Sequence, residues 1–117
     1  MTKSEKEKQV LAHGERNAEL LSLLKEKGVT ETDQVEADYH FWAFEHEDAV
    51  ILAKHLYEKG YSVLVISPVS DGEDISWNVE ARKFECVRDI VSTENTETLV
   101  NLAAKHNSVY DGWGTTV

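Results

Sequence analysis

One cysteine, one proline and one methionine occur among 117 residues, and each scarcity removes an explanation. A lone Cys86 forms neither an intrachain disulfide nor a cysteine-based zinc site, so it reads as a small hydrophobe. Pro68 has no amide donor, so the strand that contains it must end there or lie at a sheet edge. No apolar run approaches the length of a membrane span, and Met1 to Gln9 is polar, without the apolar core of a secretory signal. The expected location is the cytoplasm, with no membrane contact. Basic residues are the scarce charge: 12 Lys and Arg stand against 22 Asp and Glu, a net charge of -10. Such a chain repels phosphate backbones and attracts basic surfaces, so direct RNA or DNA binding is disfavoured. Solubility alone also accounts for an acidic balance.

What is present fits one core. A length of 117 residues, with 29% charged and 41% hydrophobic, describes a single globular domain. The charge is uneven. Residues 1–34 hold 6 basic and 7 acidic side chains (-1), whereas residues 35–117 hold 6 and 15 (-9). Residues 1–34 therefore read as an N-terminal helix and linker, and residues 35–117 as the acidic folded unit.

Ser4 with Glu7 is a capping-box pattern opening a helix from about residue 5 to 27, and Gly28 after Lys25 and Lys27 is its stop. Its N-terminal half is too polar to bury, so Leu20, Leu21, Leu23 and Leu24 are its predicted stripe. Residues 35–44 alternate as an aromatic strand. Val35, Ala37, Tyr39, Phe41 and Ala43 share one face, and Glu36, Asp38, His40, Trp42 and Phe44 the other. A helix with a stripe of Ala49, Leu52, Ala53 and Leu56 follows and ends at Gly60. A strand over 61–69 should set Leu64 and Ile66 against Val63 and Val65. Asp71-Gly72 turns it into a strand over 75–86, with Ile75, Trp77, Val79 and Ala81 inward. Asp89 to Ser92 connects, Thr93 is a plausible N-cap, and Leu99, Val100, Leu102 and Ala103 mark the last helix.

After the first helix the order is β, α, β, β, α, β, which predicts an α+β fold: a ferredoxin-like sandwich with a four-stranded antiparallel sheet, two helices on one face and an extra N-terminal helix. The first and third strands should be central. The second face would then present His40, Trp42 and Phe44 beside Asn78, Glu80 and Arg82. The N-terminal helix, another subunit or a partner could cover it, and a homo-oligomer is compatible with it.

Simple alternation in the terminal strand puts Val109, Asp111, Trp113 and Thr115 on one face and Tyr110, Gly112, Gly114 and Thr116 on the other. Glycines there mark either a β-bulge that closes the sheet or a surface that another chain approaches. Tyr110-Asp111-Gly112-Trp113-Gly114-Thr115, preceded by the helix Leu99 to Lys105, resembles the C-terminal signature of the regulator of ribonuclease E activity B (RraB) family. More loosely, the resemblance runs through the whole chain. The family's enterobacterial members continue after this motif into a long acidic tail, whereas this sequence stops at Val117. The resemblance implies a non-enzymatic regulator whose partner is ribonuclease E, inhibited or redirected in bacterial RNA decay.

Other chemistries are weaker. His40 and His46 among Glu45, Glu47 and Asp48 match no metal-ligand spacing, and acids ordinarily sit at a helix start. His13, His55 and His106 read as surface or helix-end residues. Cys86 lacks a neighbouring base. No catalytic group, cofactor or metal ligand is therefore assigned. A protein-binding surface of Glu36, Asp38, Trp42, Asp111 and Trp113 is the leading expectation. The alternative is a small-molecule-sensing ferredoxin-like domain that dimerises through its sheet.

Overall fold

The computed structural model describes residues 2–116. In chain order it forms α1 (Lys3–Glu26), β1 (Gln34–Ala43), α2 (His46–Glu58), β2 (Ser62–Asp71), β3 (Asp74–Cys86), α3 (Val87–Ile90), α4 (Thr93–Lys105) and β4 (Ser108–Gly114). The four strands make one antiparallel sheet in the order β2-β3-β1-β4. Thus β1 and β3, the strands with the richest alternation, are central. The molecule is an α+β protein with α2 lying over β2, β3 and β1, and α4 over β4.

The core lies between sheet and helices. Tyr39 and Phe41 of β1, Val79 and Ala81 of β3, Leu52 and Leu56 of α2, and Leu99 and Val100 of α4 are buried there. Each large apolar side chain so placed contributes roughly 1.5–3 kcal/mol of transfer free energy. The α2 stripe is Ala49, Leu52, Ala53 and Leu56, as its period of 3.6 requires. Ile75, expected inside, is 56% exposed, because it pairs with Ser70 near the hairpin tip, beyond the reach of the core. The tip turns through Gly72 at φ +68, a conformation open to glycine at little cost.

Two helix starts differ from expectation by one to two residues. Thr2 caps α1 by accepting from the Glu5 amide at 3.2 Å, and its own Thr-x-x-Glu spacing competes with that of Ser4. Ser92, not Thr93, caps α4 by accepting from the Asn95 amide. The connection before it closes one short helical turn, α3, whose Val87 and Ile90 are buried.

Both edge strands carry a β-bulge. In β4, Phe41 opposes Tyr110 while His40 opposes Gly112, leaving Asp111 without an opposite residue. In β2, Ala81 opposes Val63 while Glu80 opposes Val65, leaving Leu64 extra. One added residue reverses the alternation beyond it. Val63 and Ile66 therefore share the helix-covered face, where Leu64 and Ile66 were expected together. Tyr110 and Trp113 likewise both turn inward, opposite Phe41 and Tyr39, although simple alternation separates them.

Candidate protein-binding surface

Nothing in the described chain covers the face of the sheet away from α2 and α4. Cross-strand register builds this open face in rows. Phe84 lies beside Glu36, Arg82 beside Asp38, Glu80 beside His40 and Asn78 beside Trp42. On the β2 side the rows continue into Ser62, Val65 and Ser67. Toward β4 they end in Gly114 beside Asp38 and Gly112 beside His40, of which Gly114 is the bare one and Gly112 is buried. Trp42 and Asp38 are half-buried, and Phe84 is 62% exposed.

The electrostatics of this face centre on Arg82. Its guanidinium grips Asp38 through two bonds, Nε to Oδ1 at 2.6 Å and Nη2 to Oδ2 at 3.2 Å, and its Nη1 lies 3.8 Å from the Glu36 carboxylate. A planar fork of this kind fixes geometry as well as charge. One guanidinium thus faces the three carboxylates of Glu36, Asp38 and Glu80, and the face stays negative with Trp42 and Phe84 as its rings. Such a surface suits a cation-bearing polypeptide that can also cover aromatic area.

The structure brings Glu36, Asp38 and Trp42 together and sets exposed Asp111 on the bulge at the β4 rim. It does not bring Trp113 there. Trp113 is 5% exposed and donates from Nε1 to Asn17 Oδ1 at 2.8 Å, so it presents no surface to a partner while α1 is docked. The Asp111 bulge causes this change by shifting Trp113 to the helix side.

The polar side of α1 locks the C-terminal motif in place, a role that the sequence reading missed. His13 is buried, its ring lies 4.5 Å from that of Tyr110, and Nε2–H donates to the Tyr110 carbonyl at 3.0 Å. Arg16 donates to the Asp111 carbonyl at 2.8 Å. Asn17 holds Trp113 with one end and donates to Thr96 Oγ1 of α4 with the other, at 3.2 Å. Residues 13, 17, 20, 21 and 24 share one helix face, so α1 buries a continuous stripe whose first half is polar. A search for apolar periodicity finds only its leucine end, and Leu23, expected there, faces solvent. Burial pushes the His13 imidazole below its ordinary range, with the Arg16 cation acting in the same direction.

Gly112 has φ +131, and a Cβ there would stand 3.2 Å from the Arg16 guanidinium nitrogens. The missing side chain admits Arg16 to the bulge. Gly114 has open space where a Cβ would stand, so its bareness faces outward. The motif ends with Thr115 Oγ1 donating to the Glu36 carbonyl at 2.7 Å, which ties the terminus to β1.

Other polar groups serve the fold. Tyr39 donates to Glu85 Oε2 at 2.6 Å, and Lys83 Nζ stands 3.2 Å from Oε1. Burial, then Glu85, drives the Tyr39 phenol far above its usual range, so it stays a neutral donor. Cys86 is half-buried, its thiol donating to the Glu31 carbonyl. His46 packs edge-on against Trp77. Among the described residues no three His, Cys, Asp or Glu side chains converge as a metal site, and no helix is long and apolar enough to cross a membrane. A groove of about 470 Å³ runs between α1 and α4, lined by Lys6, Val10, Leu11, Thr93 and Glu97 among others.

An acidic, ring-bearing sheet face on a helix-backed frame defines a small α+β domain. The model of the family described as regulator of ribonuclease activity B matches residues 14–115, and the chain belongs to that family. The matched span takes in Arg16 and Asn17 as well as the motif that they hold. Comparison with curated proteins found no match.

Proposed function

We propose that this protein is a non-enzymatic inhibitor of ribonuclease E in bacterial RNA decay, binding a basic polypeptide segment of that enzyme outside its catalytic chemistry. The observation that carries the reading is the open face on which the carboxylates of Glu36, Asp38 and Glu80 share a single guanidinium, two rows from Trp42. Family membership supports it, as does the net charge of -10. Reading the frame as a ferredoxin-like βαββαβ sandwich rests on the strand order β2-β3-β1-β4 and places the binding face opposite the helices. Carboxylates steer the cationic segment in, Trp42 and Phe84 give it apolar area, and the bare backbone of Gly114 lets it lie close to the sheet at the β4 end. Asp111 extends the charge to the rim, while Trp113 acts from beneath by holding β4. No cofactor enters this mechanism.

Calorimetric titration against ribonuclease E tests it. Trp42→Ala and the pair Glu36→Lys, Asp38→Lys should each weaken binding about tenfold or more, the range of interface anchors, with the melting temperature followed in parallel. Affinity should fall as salt rises. Absence of binding at low salt, or affinity indifferent to both variants, would overturn the proposal.

A further inference from the structure

Helix α1 is attached differently from the rest of the molecule. Over 24 residues it fully buries one apolar side chain, Leu24, together with His13 and Asn17, while Val10, Leu20 and Leu21 are half-buried. The shorter β1 alone buries Val35, Ala37, Tyr39, Phe41 and Ala43. The grip of α1 on the terminal motif is polar: His13 and Arg16 donate to the carbonyls of Tyr110 and Asp111, and Asn17 accepts from the Trp113 indole. Hydrogen bonds that water can replace contribute little net stability. Of the long elements, α1 is therefore the one that can leave at least cost.

One group in this seam titrates near neutrality. Arg16 stays a cation and Asn17 stays neutral, whereas His13 changes charge in the physiological range. Its Nε2–H already donates to the Tyr110 carbonyl at 3.0 Å, so an added proton goes to Nδ1. That makes a cation of a ring 9% exposed, in a seam that already holds Arg16. Burial, the largest effect, and the Arg16 charge oppose the cation; the Tyr110 carbonyl and Asp111 favour it, and the balance lies against it. The other element packed on α1, α4, meets this stretch through the uncharged Thr96, while its Glu97 lines the groove with Lys6 and Val10. Once α1 is off the sheet, His13 is solvated and titrates at the ordinary value of 6.5. The open form thus binds more protons, so the closed seam is fully stable above 6.5 and weakens below it.

We infer that α1 is an acid-released strap, which lifts from β4 as the pH falls through the histidine range while β1, β3 and α2 stay folded. Lifting uncovers Trp113, 5% exposed when the strap is closed, and frees the Tyr110 and Asp111 carbonyls. A polar helix of this length is marginal once undocked, so release also melts α1. This device is separate from the surface proposed to bind ribonuclease E, and its test needs no ribonuclease.

Hydrogen exchange of the full chain, followed by NMR at pH 7.5 and 5.5, tests it, with each rate referred to that of an unstructured chain at the same pH. The Trp113 indole N–H and the α1 amides from His13 to Leu24 should be at least about tenfold less protected than the Phe41 and Val79 amides at both pH values. Their protection should fall severalfold, up to about tenfold, between pH 7.5 and 5.5, the limit for one proton. The His13 ring should titrate in step with that loss. His13→Gln, which keeps a donor for the Tyr110 carbonyl, should abolish the response, and circular dichroism at pH 7.5 verifies its fold. His106→Gln, whose ring stacks on His55 instead, should leave the response in place. Protection of α1 and the Trp113 indole equal to that of Phe41 and Val79 would show that α1 leaves only when everything unfolds, and would overturn the inference. So would a response that survives His13→Gln or disappears with His106→Gln, or a His13 ring that titrates while the Trp113 indole stays protected.

Discussion

The edges of this sheet, β4 and β2, share a device and differ in everything built on it. Each is bulged by one residue, Asp111 in β4 and Leu64 in β2. In β4 the bulge turns two aromatic rings inward and presents carbonyls that His13 and Arg16 capture. In β2 it leaves a row of apolar side chains half in solvent. A bulge therefore sets no fate for an edge. The outcome depends on whether another element brings donors to the exposed backbone, since only a partnered edge is safe from further pairing.

The comparison breaks most visibly at Trp113. Trp113→Ala should cost about 3–5 kcal/mol, the usual range for a large buried ring, whereas Leu64→Ala at the bare edge should stay within about 0.5 kcal/mol. Urea denaturation of both variants measures the difference, and equal losses would show that α1 does not anchor β4. Next in size is the glycine pair. Gly112→Ala should destabilise by about 1–3 kcal/mol through its positive φ and the Arg16 contact, while Gly114→Ala, with open space at its Cβ, should be nearly neutral in the same assay.

Acid sharpens the contrast further. Burial holds the His13 imidazole below its unfolded value of 6.5, with Arg16 acting the same way and the Tyr110 carbonyl and Asp111 opposing. The unfolded chain then binds more protons as the pH falls past 6.5, so the contribution of neutral His13 is complete above that value and shrinks below it. Thermal melts from pH 7.5 down to 5 should show a falling midpoint. His13→Gln, which keeps a donor for the Tyr110 carbonyl, should flatten the slope without removing it, because burial and then His55 lower His106 as well. An unchanged slope would mean that His13 takes up its proton without disturbing the α1 contact. The smallest effect is expected away from both edges. Arg82→Ala should leave the urea midpoint nearly unchanged, since its pairs with Asp38 and Glu36 are solvated, yet it should strengthen binding of a basic segment by freeing both carboxylates.

The parts legible in the sequence were those governed by strict local periods. The alternation of β1 from Val35 to Ala43, the α2 stripe, the turn at Gly72 and the edge position implied by Pro68 all appear in the structure. The rows of the open face were legible too, because β1 and β3 pair without interruption over ten residue pairs. The faces of Trp113, Val63 and Val65 were not, since a bulge is a relation between two strands that neither strand's own pattern declares. The polar stripe of α1 was hidden for a similar reason. His13 and Asn17 are buried by their partners on β4 and α4, and a hydrophobic period cannot register groups that go inside by hydrogen bonding.

The amino-acid order by itself determined the kinds of element, their succession and the negative balance of the folded part, because periodicity, capping and charge are properties of neighbouring residues. Only the tertiary structure decided that α1 spends its polar side on the terminal motif, that Trp113 goes inward while Trp42 stays on the open face, and that one sheet edge is closed and the other bare. Those outcomes depend on which distant backbone groups find donors, and contacts between residues more than ninety positions apart, such as His13 with Tyr110, exist only once the chain has folded.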